Sequence, residues 1–120
     1  MREMKKGSLG LLVLQLLFQH PSYGYALCER LREESDGSLT FEEGAVYPIL
    51  HSYEQEGWVE GYWETDEVDS IRKGARRRYY RLTPSGVVAL RESLQAWRTF
   101  TGAVNRILGE SSIVKQEGQA

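Results

Sequence analysis

The sequence predicts a mainly α-helical fold that carries a small β-hairpin and ends in a long helix. Three observations predict it. Apolar residues recur at helical spacing through residues 9–20, 23–34 and 40–56. Two segments of strand type, WVEGYWET at residues 58–65 and RRYYRL at residues 77–82, then interrupt that pattern. Beyond them Val87, Leu90, Leu94, Trp97, Thr101, Val104 and Leu108 follow alternating steps of three and four, the spacing of a coiled-coil seam.

Each element has its own local grounds. Leu9, Leu11, Leu12, Val13, Leu14, Leu16, Leu17 and Phe18 are apolar on nearly every side of a helix, so this helix is buried by more than one neighbour. Pro21 ends it, and Ser22 is placed to cap the next. The second helix, Tyr23 to about Glu34, turns Tyr23, Ala26, Leu27 and Leu31 inward and Glu29, Arg30, Arg32 and Glu33 outward. Ser35 to Ser38 read as a turn, and Thr40 with Glu43 fits a capping box for a third helix. Its core face is Val46, Ile49, Leu50 and Tyr53, and Gly57 supplies a left-handed cap. The strand segments form a hairpin whose link contains Asp66, Asp69, Gly74 and Ala75. Thr83 caps the last helix, with Pro84 in its first turn.

With 120 residues, 41% apolar and 11% aromatic, the chain has material for one packed core. The expected division is a body over residues 1–82, a helix over 83–110 and a fraying tail over 111–120. Its longest apolar stretch is broken by Gly10 and Gln15 and is far shorter than the roughly 20 residues a bilayer requires. The start MREMKKGS leads into no cleavage site, and the single Cys28 cannot staple a fold, so a cytoplasmic setting is expected. Cys28 itself reads as a small buried hydrophobe. His20, His51 and Cys28 lack metal-ligand spacing, and no nucleophile–base pair or phosphate loop points to an enzyme or a cofactor.

Charge is the informative feature. The net charge is −2, yet Arg72, Lys73, Arg76, Arg77, Arg78 and Arg81 crowd one short stretch, while Glu54, Glu56, Glu60, Glu64, Asp66, Glu67 and Asp69 precede it. Three helices followed by a hairpin is the order of a winged helix-turn-helix, whose third helix enters a DNA major groove while the hairpin, the wing, lies along the backbone. The basic cluster falls where a wing meets phosphates, so a negative total does not oppose DNA binding. Strand alternation puts Arg77, Tyr79 and Arg81 on one face and Arg78, Tyr80 and Leu82 on the other, with Tyr80 and Leu82 toward the core. His51, one turn after Tyr47, can donate to a phosphate or a base edge.

The stretches SYGYALCERL, EEGAVYPILHSYEQEGWVEG and GARRRYYRLTPSG, in that order, resemble the PadR family of bacterial transcriptional regulators over roughly Lys6 to Leu108. The resemblance implies a winged helix-turn-helix with a C-terminal dimerisation helix, a homodimer on a palindromic operator, and repression relieved by a small ligand. It points to Glu43, Gly44, Ala45, Tyr47 and Pro48 at the start of the DNA-reading helix, with His51 and Ser52 following. Ser52 departs from the arginine common there, and Tyr53 from a leucine. Tyr23, Tyr25, Lys5 and Lys6 would flank the DNA backbone, and Arg72, Lys73, Arg76 and Arg77 would form the wing's contribution. Trp97 resembles the ligand-sandwiching tryptophan of the family's multidrug-binding repressors. By that likeness an aromatic or drug-like effector would draw on Met4, Gly7, Ser8 and Leu11 of the first helix and on Leu90, Leu94, Trp97, Thr101, Val104 and Leu108 of the last.

Plainer readings stand beside these. Tyr47 can be a packing residue, and Trp97 can be bulk in a dimer seam and nothing more. An alternative for the whole chain is a winged-helix module that contacts protein through Trp58, Tyr62 and Trp63 without sequence-specific DNA binding.

Overall fold

A computed structural model describes residues 2–64, 76–109 and 113. In chain order the elements are α1 (Arg2–Gln19), β1 (Ser22–Tyr23), α2 (Gly24–Glu34), α3 (Glu43–Gln55), β2 (Val59–Trp63), β3 (Arg78–Leu82) and α4 (Pro84–Leu108). The strands form one antiparallel sheet in the order β1-β3-β2. The chain divides into two compact units, Met1–Leu90 and Arg91–Ala120. Among the described residues no helix is long and apolar enough to cross a membrane.

The core of the first unit explains why α1 is apolar all round. Its Leu9, Val13, Leu16 and Leu17 pack with Leu27 and Leu31 of α2, Val46 and Leu50 of α3, Val59 of β2 and Tyr80 of β3. Leu14 belongs to a separate cluster with Ala89 and Leu90 of α4, bordered by Leu11, Tyr53, Trp58 and Leu82. Two sides of the helix are thus covered by different neighbours. Cys28 packs at the edge of the larger cluster, where burial pushes its thiol above the ordinary range, away from the reactive thiolate.

Three junctions place the later elements. Gly57 takes φ 78°, and the amides of Gly57 and Trp58 donate to the carbonyls of Glu54 (3.1 Å) and Tyr53 (2.9 Å), the paired bonds of a Schellman cap. Thr83 caps α4 as expected, accepting from the Gly86 amide at 3.1 Å, and its hydroxyl donates to the Gly57 carbonyl. Gly86 is buried against the Trp58 carbonyl and the Leu82 side chain.

Helix α1 begins at Arg2 and so takes in Met4, Gly7 and Ser8 of the expected first helix, because the Arg, Glu, Met and Lys ahead of the apolar run are strong helix formers. The structure departs from the sequence-based expectation at two places. Ser22 does not cap α2: only 3% exposed, it pairs with Tyr80 as part of β1, and the extended Tyr23 precedes α2 without a side-chain cap. Thr40 does not cap α3 either. Its hydroxyl donates to the Gly37 carbonyl at 3.3 Å, within the turn made by Asp36 and Gly37 at positive φ, and α3 starts after Glu42.

Candidate nucleic-acid interface

Helix α3 separates its residues cleanly by face. Val46 and Leu50 are fully buried and Ile49 and Tyr53 pack beside them, while Gly44, Ala45, Pro48, His51 and Ser52 are exposed. The outward set repeats at three and four residues, so it forms one continuous strip. Pro48 has no amide hydrogen to give the Gly44 carbonyl, which leaves an acceptor on that strip.

Tyr47 lies at the strip's margin. Its ring packs over Gly24, where a Cβ would stand 2.6 Å from the Tyr47 Cζ and 2.8 Å from the hydroxyl oxygen, so only glycine admits it. Burial, then the neighbouring Glu43, raises the Tyr47 phenol above its ordinary range. Its ring centroid lies 6.2 Å from that of His51. Tyr47 is therefore a packing residue with an exposed margin. Tyr25 is exposed on α2, its phenol raised by the hydrogen bond and charge of Glu29. Tyr25 and Glu43 come together, with Glu29, Arg32 and Glu42, along a groove of about 210 Å³ beside the start of α3.

The outer face of the sheet carries a row of three tyrosines in register. Tyr79 meets Tyr23 edge-on at 5.2 Å and stacks with Tyr62 at 5.8 Å between centroids. Arg77 lies over Tyr23 and Arg81 over Tyr62, each guanidinium 4.7 Å from the ring centroid. Each also has an acid partner: Arg77 with Glu64 at 3.8 Å and Arg81 with Glu60 at 3.1 Å. On the core side Arg78 pairs with Glu54 of α3 at 3.0 Å. Acids and bases that stand apart along the sequence thus face one another once the hairpin forms. Arg76 is exposed at the start of the basic arm. Arg72 and Lys73 lie outside the described residues, as does the rest of the expected wing tip.

The residues expected at an effector seam fall into two groups. Leu11 and Leu90 belong to the Leu14 cluster, Ser8 is buried, and Gly7 is exposed. Met4 lies in α1, and its side chain is outside the described residues. In the second unit Leu94, Thr101 and Val104 are half-buried, Trp97 is 39% exposed, and Leu108 is exposed. The Thr101 hydroxyl donates to the Trp97 carbonyl at 2.9 Å, so it is satisfied within its own helix. The seam pattern missed Phe100 and Ile107, which are 62% and 87% exposed. Phe100 pairs with Trp97 at 6.3 Å between centroids, and Ile107 continues the same face two turns on. A template of one apolar residue per turn passed over them; counting every apolar position within a turn of the stripe finds both.

Comparison with known proteins agrees with this geometry. The model of the PadR-like family of transcriptional regulators matches residues 13–92. A PadR family transcriptional regulator from Eggerthella lenta is 31% identical, with a TM-score of 0.73 over 89% of this chain and 87% of that one. A transcriptional regulator from Clostridium thermocellum shares the fold with a TM-score of 0.77 over 88% and 95% of the two chains, at 24% identity. Bacillus subtilis PadR, solved in complex with operator DNA, is similar in fold with a TM-score of 0.60, covering 72% of this chain and 46% of that one at 23% identity. The family and these neighbours are transcriptional regulators, not enzymes. With a winged helix-turn-helix whose third helix turns an exposed strip outward and a family match over residues 13–92, this chain belongs to the PadR-like family of transcriptional regulators.

Proposed function

We propose that the chain is a cytoplasmic homodimer that binds a palindromic operator and represses transcription until a small aromatic effector releases it. The observation that carries this reading is the exposed strip of α3, held out by a buried opposite face, in a chain whose hairpin carries a basic arm. In the dimer two such helices reach successive major grooves about 34–36 Å apart. Glu43 accepts from a cytosine amino group, and His51 and Ser52 meet base edges or phosphates. Arg76, with Arg72 and Lys73, neutralises flanking phosphates, and Arg77 joins them by leaving Glu64. Tyr23 and Tyr25 flank the backbone. Residues 1–82 do the DNA binding, and residues 83–110 bring two copies together. The DNA complex of Bacillus subtilis PadR supports the reading.

Selection from a random duplex pool, followed by salt titration, tests it. The enriched sequence is expected to be an inverted repeat with half-sites one helical turn apart. Arg76→Ala should weaken all duplexes alike and flatten the salt dependence by about one unit. His51→Ala should instead relax preference at one position of each half-site. Absence of binding to any duplex at low salt would leave the protein-contacting module in its place.

The effector acts only by preferring the form that does not bind DNA, and couplings of roughly 1–3 kcal/mol are typical. It contacts Trp97 beside Leu94, Thr101 and Val104. Planar aromatic dyes are expected to quench Trp97 fluorescence in the wild type, with binding lost in Trp97→Ala while the dimer persists. Equal binding by the variant would place the ligand elsewhere.

A further inference from the structure

Arg78 differs from its neighbours Arg77 and Arg81. It faces the core side, directly across from Trp63 in the register of β2, and its guanidinium lies 5.1 Å from the Trp63 ring centroid. Its Nη2 donates to Glu54 Oε2 in the last turns of α3 at 3.0 Å, and both side chains are about two-thirds buried, at 32% and 33% exposure. Gly61 makes this contact possible. A Cβ there would stand 2.7 Å from Arg78 Nη2 and 2.8 Å from Glu54 Oε2, so the ion pair crosses β2 where that strand has no side chain. The buried Tyr80 adjoins the same group: burial and Glu54 raise its phenol, and Arg78 draws it back.

The position of this pair gives it a mechanical role. Strand β1 contributes only Ser22 and Tyr23, opposite Tyr80 and Tyr79, so the outer end of the ribbon, Trp63 opposite Arg78, extends past the third strand. A two-stranded ribbon twists easily. The Glu54–Arg78 pair ties that end to the helix that carries the outward strip, and residues 64–77 continue from it. We propose that Glu54 and Arg78 form a strut that sets the angle of the wing against α3, making Arg78 a positioning residue for DNA binding and not a phosphate ligand. The inference rests on the DNA-binding reading above. Ion pairs that remain one-third exposed contribute modestly to global stability. A small change of angle at the strut displaces the outer end of the ribbon, where Trp63 and Arg78 meet, so DNA affinity should respond more than melting temperature does.

The test uses the full chain with Glu54→Gln, Arg78→Met and the reversed pair E54R/R78E, against the duplex enriched by selection and a random-sequence duplex at low salt. Arg78→Met keeps the apolar stem over Trp63. Each single variant is expected to lower affinity for the enriched duplex about tenfold, to leave the salt slope at its wild-type value, and to shift the melting temperature by no more than about 5 °C. The reversed pair should recover most of the lost affinity. In the free protein, Glu54→Gln should speed amide exchange at Trp63 and Arg78. Wild-type affinity in Glu54→Gln, or a slope flattened by about one unit in Arg78→Met, overturns the proposal, the latter by making Arg78 a phosphate ligand. Unchanged exchange in Glu54→Gln removes the strut even if DNA binding itself fails. A wild type that binds neither duplex overturns the DNA-binding reading, and with it any positioning role.

Discussion

Gly86→Ala is expected to destabilise the first unit by about 3 kcal/mol or more. A Cβ at this position would run into the Trp58 carbonyl and stand 2.7 Å from Leu82 Cδ1. The carbonyl is backbone and cannot swing aside, so either the start of α4 or the turn after α3 must shift. Either shift strains the Thr83 hydroxyl that joins them. Urea denaturation followed by circular dichroism reads the effect as a midpoint lowered by about 1–3 M at unchanged slope. Gly102→Ala is the control, since a Cβ there meets nothing nearer than Arg106 Nη1 at 3.7 Å. It should stabilise α4 by roughly 0.5–1 kcal/mol, the ordinary gain of replacing glycine within a helix. A midpoint in Gly86→Ala equal to that of the wild type would show that the junction yields freely.

Phe100→Asp is expected to abolish the proposed dimer and, with it, most DNA affinity. Phe100 stands with Trp97, Ile107 and Leu108 in an exposed apolar face on α4. Such faces mark association sites, and a buried carboxylate in a seam is strongly unfavourable. Light scattering should show the mass falling from twice the chain's 13.7 kDa toward that value. Losing the second half-site should then weaken operator binding on the order of a hundredfold or more. The far-ultraviolet spectrum of the first unit should persist, because Phe100 lies outside both of its clusters. A variant that stays dimeric and binds normally would move the seam off this face.

Features governed by residues near in sequence were legible from the sequence. The caps that Gly57 and Thr83 make use bonds to residues within five positions, and both follow from residue type; the second bond of the Thr83 hydroxyl, to the Gly57 carbonyl 26 residues back, does not. The all-round apolar run of α1 announced two neighbours, and two clusters meet it. The buried face of α3 followed from helical period, whereas its outward residues came from the family resemblance, which set the packed Tyr47 among them. Strand β1 was hidden because two residues carry no periodicity, and its partners Tyr79 and Tyr80 lie far along the chain. The pairing of Glu60 with Arg81 and of Glu54 with Arg78 depended on a hairpin register that a long link conceals. Along the sequence the acids and the arginines stand in separate runs, when three of the arginines are held by glutamates. Thr40 misled for a related reason: a hydroxyl chooses among nearby acceptors, and the Gly37 carbonyl was as close in sequence as the helix.

The doubly bonded Thr83 hydroxyl has a consequence for engineering. Through it the Gly57 carbonyl after α3 and the Gly86 amide in the first turn of α4 meet on one atom, with Gly86 closing the joint against the Trp58 carbonyl. The two helices are modules in composition but share this hinge. A chimera that exchanges α4 for the C-terminal helix of another protein should therefore be cut after Gly86, carrying Gly57, Trp58, Thr83 and Gly86 over as one inherited set. A cut at residue 83 would divide the joint and leave the grafted helix without a fixed origin.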